Sequence, residues 1–204
     1  MRTVAGVVGF LLVATVAVGQ TPPPREADVI RDPIRLLPEQ FGQATPKDAL
    51  DSAVRLIDRG RFDYLAAHLL DPAFVNAKVA ERALRLEGDV EREFRRLRDI
   101  QRQDPSLSGD QRLPDEPKAF AKTVRNEATV RGFRQLVADI RTTLAENPDH
   151  LNDLRRYLRS GQLLEAGDTA SFGLKGVKDR SVSLKRTAAG WHLEDKRQDA
   201  PDKK

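Results

Sequence analysis

The feature that most constrains the fold of this chain is a change in hydrophobic periodicity near residue 160. Between residues 45 and 160, apolar side chains recur at the spacing of one helix face. In the runs 169–174, 181–185 and 191–194 they alternate with polar side chains, which is typical of strands with one buried face. Helices followed by strands predict an α+β domain, in which the helices to about residue 160 pack on a C-terminal antiparallel meander of about three strands.

Local signals divide the helical part into separate elements. Thr45-Pro46-Lys47-Asp48 has the cap, proline and capping box of a helix start, and Gly60 is expected to end that helix. A short second helix reaches Asp71, which caps a third stretch that we expect to break at Gly88. A loop over residues 104–117 precedes a long helix, and the next helix begins after the break at Asn147-Pro148.

The N-terminal segment predicts export. Arg2 precedes an uncharged apolar run that ends at Gly19, with the small residues Ala17 and Gly19 placed as at a cleavage site. We therefore expect residues 1–19 to be a cleaved signal peptide and the protein to be periplasmic or secreted, in a bacterial envelope. The alternative is an uncleaved anchor that keeps the protein tethered to the membrane as a scaffold; the run is shorter than the roughly 20 apolar residues of a spanning helix.

Residues 20–44 contain a dense set of prolines, which predicts a semi-rigid linker between the signal and the folded part. The alternative is an arm that lies on the domain through its apolar side chains, which are Ile34, Leu36, Leu37 and Phe41. We expect residues 45–197 to form a single domain and residues 198–204 to be a charged tail.

Composition excludes several classes of function. The chain has no cysteine, so thiol catalysis, thiolate metal sites and disulfides are ruled out. Its net charge of +4 comes from 35 basic and 31 acidic residues that are mixed along the chain, and a clustered basic face for nucleic acid is not expected. The three histidines have no metal-ligand spacing, and no phosphate-binding loop is present, so we predict neither a metal nor a cofactor.

Two segments resemble a known family. Ala49–Ala66, with the step Arg59-Gly60-Arg61-Phe62 between two helices, resembles the opening helix pair of nuclear-transport-factor-2-like domains. Gly167–Phe172 and Ser181–Glu194, with a tryptophan in the last strand, resemble the closing strands of that superfamily. The resemblance implies a cone-shaped fold with an internal cavity. The mostly helical stretch 72–160 departs from this pattern, in which a single helix and short strands stand at that place.

Enzymes of this superfamily use an Asp or His base with a Tyr or Asp acid inside the cone, and the resemblance makes Asp63, Tyr64 and His68 the catalytic candidates. Tyr64 and His68 share one helix face, and with Trp191 they are the candidate ligand-binding residues. The competing interpretation, which we favour, is that Tyr64 and His68 are packing residues and Trp191 a core anchor. Alternation in the last strand predicts that His192 faces solvent if Trp191 faces the core.

Two functions from different classes remain open. The favoured hypothesis is a non-catalytic exported domain that binds a partner protein, an envelope component or a small ligand, with contact to the membrane only through the transient signal segment. The alternative is a small-molecule enzyme of the isomerase, cyclase or hydrolase type, with its pocket between the helices and the sheet. The absence of any catalytic constellation in the sequence favours binding.

Overall fold

The computed structural model of the protein describes residue 30 and residues 33–104, 106, 112–174 and 181–194. The predicted signal peptide and the predicted charged tail lie outside the described residues. The predicted α+β architecture is confirmed: helices come first and an antiparallel sheet comes last. In chain order the elements are α1 (Pro46–Asp58), α2 (Phe62–Tyr64), a π-helical turn (Leu65–Leu69), α3 (Pro72–Gln103), α4 (Pro117–Glu146), α5 (Pro148–Ser160), β1 (Gln162–Ala166), β2 (Thr169–Gly173), β3 (Ser181–Thr187) and β4 (Gly190–Glu194).

The predicted helix boundaries follow local chemistry. The Thr45 hydroxyl accepts a hydrogen bond from the Asp48 N–H at 3.1 Å and donates one to the Asp48 carboxylate at 2.8 Å, so the predicted cap of α1 is confirmed. Gly60 ends α1 in the left-handed region with φ 67°. Asp71 caps α3 by accepting from the Ala73 N–H at 3.0 Å, and α5 begins at Pro148 as predicted.

The predicted break at Gly88 is wrong, because α3 is one helix of 32 residues that runs straight through this glycine. A glycine inside a helix costs about 1 kcal/mol relative to alanine, which tertiary packing readily offsets. Here the offset comes from Val79 and Val90, which are buried on either side of Gly88 along α3. Val90 packs in a cluster with Phe120 and Val124 of α4.

Helices α3 and α4 form a long antiparallel hairpin. At 1.5 Å per residue each helix is about 45 Å long. The helices approach closely at Gly132, where an added Cβ would lie 3.0 Å from the Val79 carbonyl oxygen and 3.1 Å from the Ala83 nitrogen. Within the part of the chain that the structure describes, no helix has the length and apolar character needed to cross a membrane.

The sheet has four strands in the order β1-β2-β3-β4, one more than predicted. The additional strand is β1, which pairs antiparallel with β2 from Gln162↔Gly173 to Ala166↔Thr169. Its five residues are all exposed. The sequence prediction missed it because Leu163 and Leu164 are adjacent, so β1 shows no alternation of apolar and polar residues.

One face of the sheet carries the core of the domain. Ala170, Phe172, Leu184 and Trp191 form its buried apolar surface, which packs against α1 through Ala49 and Leu50 and against α5 through Tyr157. Helices α1 and α5 thus supply the cover that the alternating strand pattern requires.

Residues 33–44 lie on the domain as an arm, which is the alternative considered for this part of the proline-rich segment. Phe41 is buried in a cluster with Leu56 and Leu69, and Ile34 and Leu37 pack against the same cluster, whereas Leu36 is exposed. Hydrogen bonds also hold the arm, among them one from the Ser52 hydroxyl to the Gly42 carbonyl at 2.9 Å.

Candidate functional site

Tyr64 is fully buried beneath the arm. Its ring lies 5.0 Å from the ring of Phe41 and 4.7 Å from that of His68, centroid to centroid. Its hydroxyl oxygen accepts a hydrogen bond from the Leu37 N–H at 2.9 Å. The surroundings of Tyr64 are therefore those of a packed tyrosine whose polar tip is satisfied by backbone.

His68 is bound to the arm at two points. Its Nε2 lies 2.7 Å from the Ile34 carbonyl oxygen, and because a carbonyl only accepts, Nε2 carries the proton. The side chain of Gln43 donates to the His68 carbonyl at 2.5 Å and to the Trp191 carbonyl at 3.4 Å. Gln43 thus links two of the predicted site residues through their backbone carbonyls.

Trp191 lies in the core cluster below α1 and α5, with 2% of its surface exposed. The prediction that His192 faces solvent is wrong: only 3% of it is exposed, and its Nε2 lies 2.9 Å from the Thr187 hydroxyl. Alternation does turn His192 away from Trp191, but the opposite face of the sheet is not open to solvent at this position.

Asp63, the remaining catalytic candidate, is ion-paired. Partial burial raises the pKa of its carboxyl group, but hydrogen bonds from the Arg61 guanidinium and the Tyr64 backbone outweigh this effect, so the pKa lies below its ordinary value. The Arg61 Nε atom is 3.1 Å from Asp63 Oδ1. A carboxylate with a lowered pKa is a weaker general base at neutral pH.

An apolar groove of about 380 Å³ lies where helices and sheet meet. Half-buried or buried apolar side chains from most of the elements line it. They are Ala53 and Ile57 of α1, Leu65 of the π-helical turn, Leu70 after it, Phe74 of α3, Ile140 and Leu144 of α4, Leu154 of α5 and Leu193 of β4. Tyr64, His68 and Trp191 are not among the residues that line it.

The π-helical turn shapes one wall of this groove. The Leu70 N–H bonds to the Leu65 carbonyl at 3.1 Å, one residue further back than in an α-helix, and the chain then becomes extended at Leu70. Leu70 forms a parallel bridge with Leu193, and the Asp71 N–H bonds to the Leu193 carbonyl at 2.8 Å. The turn therefore fixes β4 beside the start of α3.

The polar groups of the groove lie among these apolar walls. They are the carboxylates of Asp139 and Glu194 and the hydroxyl of Thr143. Asp139 is held by Arg82 of α3 at 2.7 Å, and the same guanidinium donates to the Lys78 carbonyl at 3.0 Å. A groove with apolar walls and few polar groups suits a ligand that is mostly hydrocarbon.

Sequence reasoning expected a pocket between the helices and the sheet but did not identify the residues that line this groove. Leu144, Leu154 and Leu193 fit the apolar periodicity of their elements, and periodicity alone cannot separate a residue that fills the core from one that lines a groove. Gln43 was also missed, because its role depends on Trp191, which lies 148 positions further along the chain.

The described part of the chain contains no cluster of three or more His, Asp or Glu side chains placed to hold a metal ion. Comparison of the chain with models of protein families, with curated proteins and with solved structures finds no match.

Proposed function

We propose that this protein is an exported, non-catalytic binding protein whose groove between α4, α5 and β4 takes a small apolar ligand. The groove itself is the observation that carries the proposal. Its volume of about 380 Å³ is within the range of small-molecule sites, and its walls are mostly apolar.

The polar groups favour a particular ligand chemistry. Two carboxylates, Asp139 and Glu194, border the groove, and one cation, Arg82, already binds Asp139. A ligand with an anionic head would meet like charge there, whereas a hydroxyl or ammonium head would not. The expected ligand is thus a hydrocarbon with a neutral or cationic end group.

No observation favours the enzyme alternative over binding. The Tyr64 hydroxyl and the His68 ring each bond to the backbone of the arm, so neither group reaches a substrate while the arm is in place. The resemblance to nuclear-transport-factor-2-like domains remains compatible with a binding role, since that fold serves binding modules as well as enzymes.

Titration with decanol, decylamine and decanoate tests the proposed ligand class. Trp191 is the single tryptophan and precedes groove residue Leu193 by two positions on β4, so both side chains share one face and tryptophan fluorescence reports on occupancy. We expect saturable changes with decanol and decylamine, and at least tenfold weaker binding of decanoate. Saturable binding of none of the three compounds would contradict the proposal.

Leu144→Gln is the matched variant for this titration, because Leu144 is half-buried and lines the groove. We expect it to weaken decanol binding roughly tenfold, as placing an amide in an apolar site costs on the order of 1–3 kcal/mol. The control is Leu84→Gln on α3, where 76% of the side chain is exposed and the groove is not involved. Equal binding by the two variants would place the ligand elsewhere.

The export part of the proposal is tested by the mass of the protein recovered from outside the cytoplasm. We expect the chain to begin at Gln20, which follows the small residues Ala17 and Gly19. A recovered mass that includes residues 1–19 would instead support the tethered scaffold.

A further inference from the structure

Strand β1 is a bare edge of the sheet. It ends the strand order, and no other strand among the described residues pairs with its outer side. All five of its residues are exposed. The outward N–H and C=O groups of such a strand are available to another extended backbone.

The opposite edge of the same sheet is covered. On the outer side of β4, the Trp191 N–H donates to the Gln43 carbonyl of the arm at 3.0 Å, and the Asp71 N–H donates to the Leu193 carbonyl at 2.8 Å. Among the described residues, two separate segments thus cover one edge of the sheet, and no strand pairs with the other edge.

The side chains of β1 give it little protection from pairing. Protected edges carry charges, especially lysines, or prolines or bulges; β1 reads Gln162-Leu163-Leu164-Glu165-Ala166, has one charged residue, Glu165, and pairs with β2 without interruption. Leu163 is 40% exposed and Leu164 is 71% exposed. Because neighbouring residues of a strand point to opposite faces, an apolar side chain is exposed on each face of this edge.

We propose that β1 pairs antiparallel with β1 of a second copy of the chain, so that two four-stranded sheets join into one of eight strands about a two-fold axis at Leu164. In this register Leu164 faces its own copy, Leu163 faces Glu165, and Gln162 faces Ala166. All five residues then pair, and each residue meets one from the same face of the sheet. The helices α1 and α5 of both copies lie on the same side of the joined sheet.

Charge supports a second copy as the occupant of this edge. Helix α5 ends at Ser160, two residues before β1, and its last turns carry exposed Arg156 and Arg159. Antiparallel pairing brings the C-terminal end of the second β1, with its Glu165, beside the N-terminal end of the first. Glu165 pairs with Ala170, which pairs with Leu184, and directly paired residues lie on the same face of the sheet. The Glu165 side chain is therefore on the face that α5 covers. Each copy thus offers a carboxylate to the basic end of the other copy's helix.

Sedimentation equilibrium of the purified protein and its Leu164 variants tests the pairing. Five residues a side make a small interface, so we expect a weak, concentration-dependent dimer. Leu164→Lys and Leu164→Glu each place like charges directly opposite across the axis, and each should raise the dimer dissociation constant at least tenfold. An equimolar mixture of the two should restore the dimer, because lysine then faces glutamate.

Several outcomes would overturn the proposal. If the wild-type protein stays monomeric up to millimolar concentration, β1 does not pair with a second copy, and a peptide of another protein becomes the candidate partner. If the protein dimerises but neither charged variant weakens the dimer, the dimer interface is on another surface. Failure of the mixture to associate contradicts the register. Thermal melts of the two variants check folding, and both should melt close to the wild type because Leu164 is exposed.

The absence of native cysteine allows a second measurement of the register. Leu164→Cys places two cysteines directly opposite each other across the axis with their Cβ atoms about 5 Å apart, so that mild oxidation should join the thiols in a covalent dimer. Leu163→Cys is the control. Residue 163 of one copy lies opposite Glu165 of the other and only diagonally from residue 163 of the other, so this variant should crosslink at least tenfold more slowly. Equal rates would contradict pairing centred on Leu164.

Discussion

Gly190 shows how one residue joins the arm to the sheet. It follows the turn between β3 and β4 with φ 125°, a backbone region that side chains rarely adopt. A Cβ at this position would lie 2.8 Å from the Cβ of Gln43 and 2.9 Å from its carbonyl oxygen. The absence of a side chain therefore permits both the turn and the hydrogen bond from the Trp191 N–H to the arm.

We predict that Gly190→Ala destabilises the protein by roughly 2–4 kcal/mol, because backbone strain and displacement of Gln43 add together. Urea denaturation monitored by tryptophan fluorescence measures the loss. Hydrogen exchange should show faster exchange of the Trp191 N–H, whose acceptor is the Gln43 carbonyl.

Gly167→Ala is the control for strain alone. Gly167 has φ 61° in the turn between β1 and β2, and an added Cβ there meets nothing within 4 Å. We expect a loss of about 1 kcal/mol and unchanged protection of the Trp191 N–H. If Gly190→Ala leaves that protection unchanged too, the close contact with Gln43 is not what fixes the arm.

At the scale of elements, the α3–α4 hairpin depends on contacts between just two helices over much of its length. Part of its specificity comes from Arg131 of α4, which donates to both carboxylate oxygens of Glu93 on α3, at 2.7 and 3.1 Å. Arg131 also donates to Glu127 at 2.8 Å. The hydrogen bond from Arg131 holds the pKa of Glu93 below its usual value, and the two carboxylates raise the pKa of Arg131.

We predict that Glu93→Gln destabilises the protein at pH 7 by less than about 1 kcal/mol, because this ion pair is largely exposed. The pKa of Glu93 is lower in the folded state, so its contribution is complete above the unfolded pKa of about 4.3 and is lost as pH falls through the folded value. The free energies of unfolding of wild type and variant, measured by urea denaturation, should therefore converge as the pH is lowered through the folded-state pKa of Glu93.

The control for net charge is Asp99→Asn, an exposed position further along α3 that removes the same unit of negative charge. If the free energy of unfolding converges with that of the wild type at low pH for Glu93→Gln but not for Asp99→Asn, the effect comes from the ion pair with Arg131. Identical pH profiles for the two variants would show that only the overall charge matters.

At the scale of the whole molecule, local chemistry made much of the fold predictable. The cap at Thr45, the break at Asn147-Pro148 and the alternation around Trp191 each act over a few residues, and the helix start, the new helix and the strand that they predict are confirmed. The continuity of α3 through Gly88, the strand β1 and the burial of His192 depend on neighbours distant in sequence. The groove is the extreme case, since it exists only where elements from residue 53 to residue 194 meet.

The arm is synthesised long before the strand that it contacts. Gln43 emerges from the ribosome 148 residues before Trp191, the residue whose backbone it bonds. Until the last strand emerges, the backbone groups of the arm that face β4 have only water as a partner, and such distant contacts are slow to form because a long loop must close first. A nascent chain halted before residue 181 therefore lacks the hydrogen bonds between Gln43 and Trp191. The arm can take its final place on the sheet only after the last strand has been made.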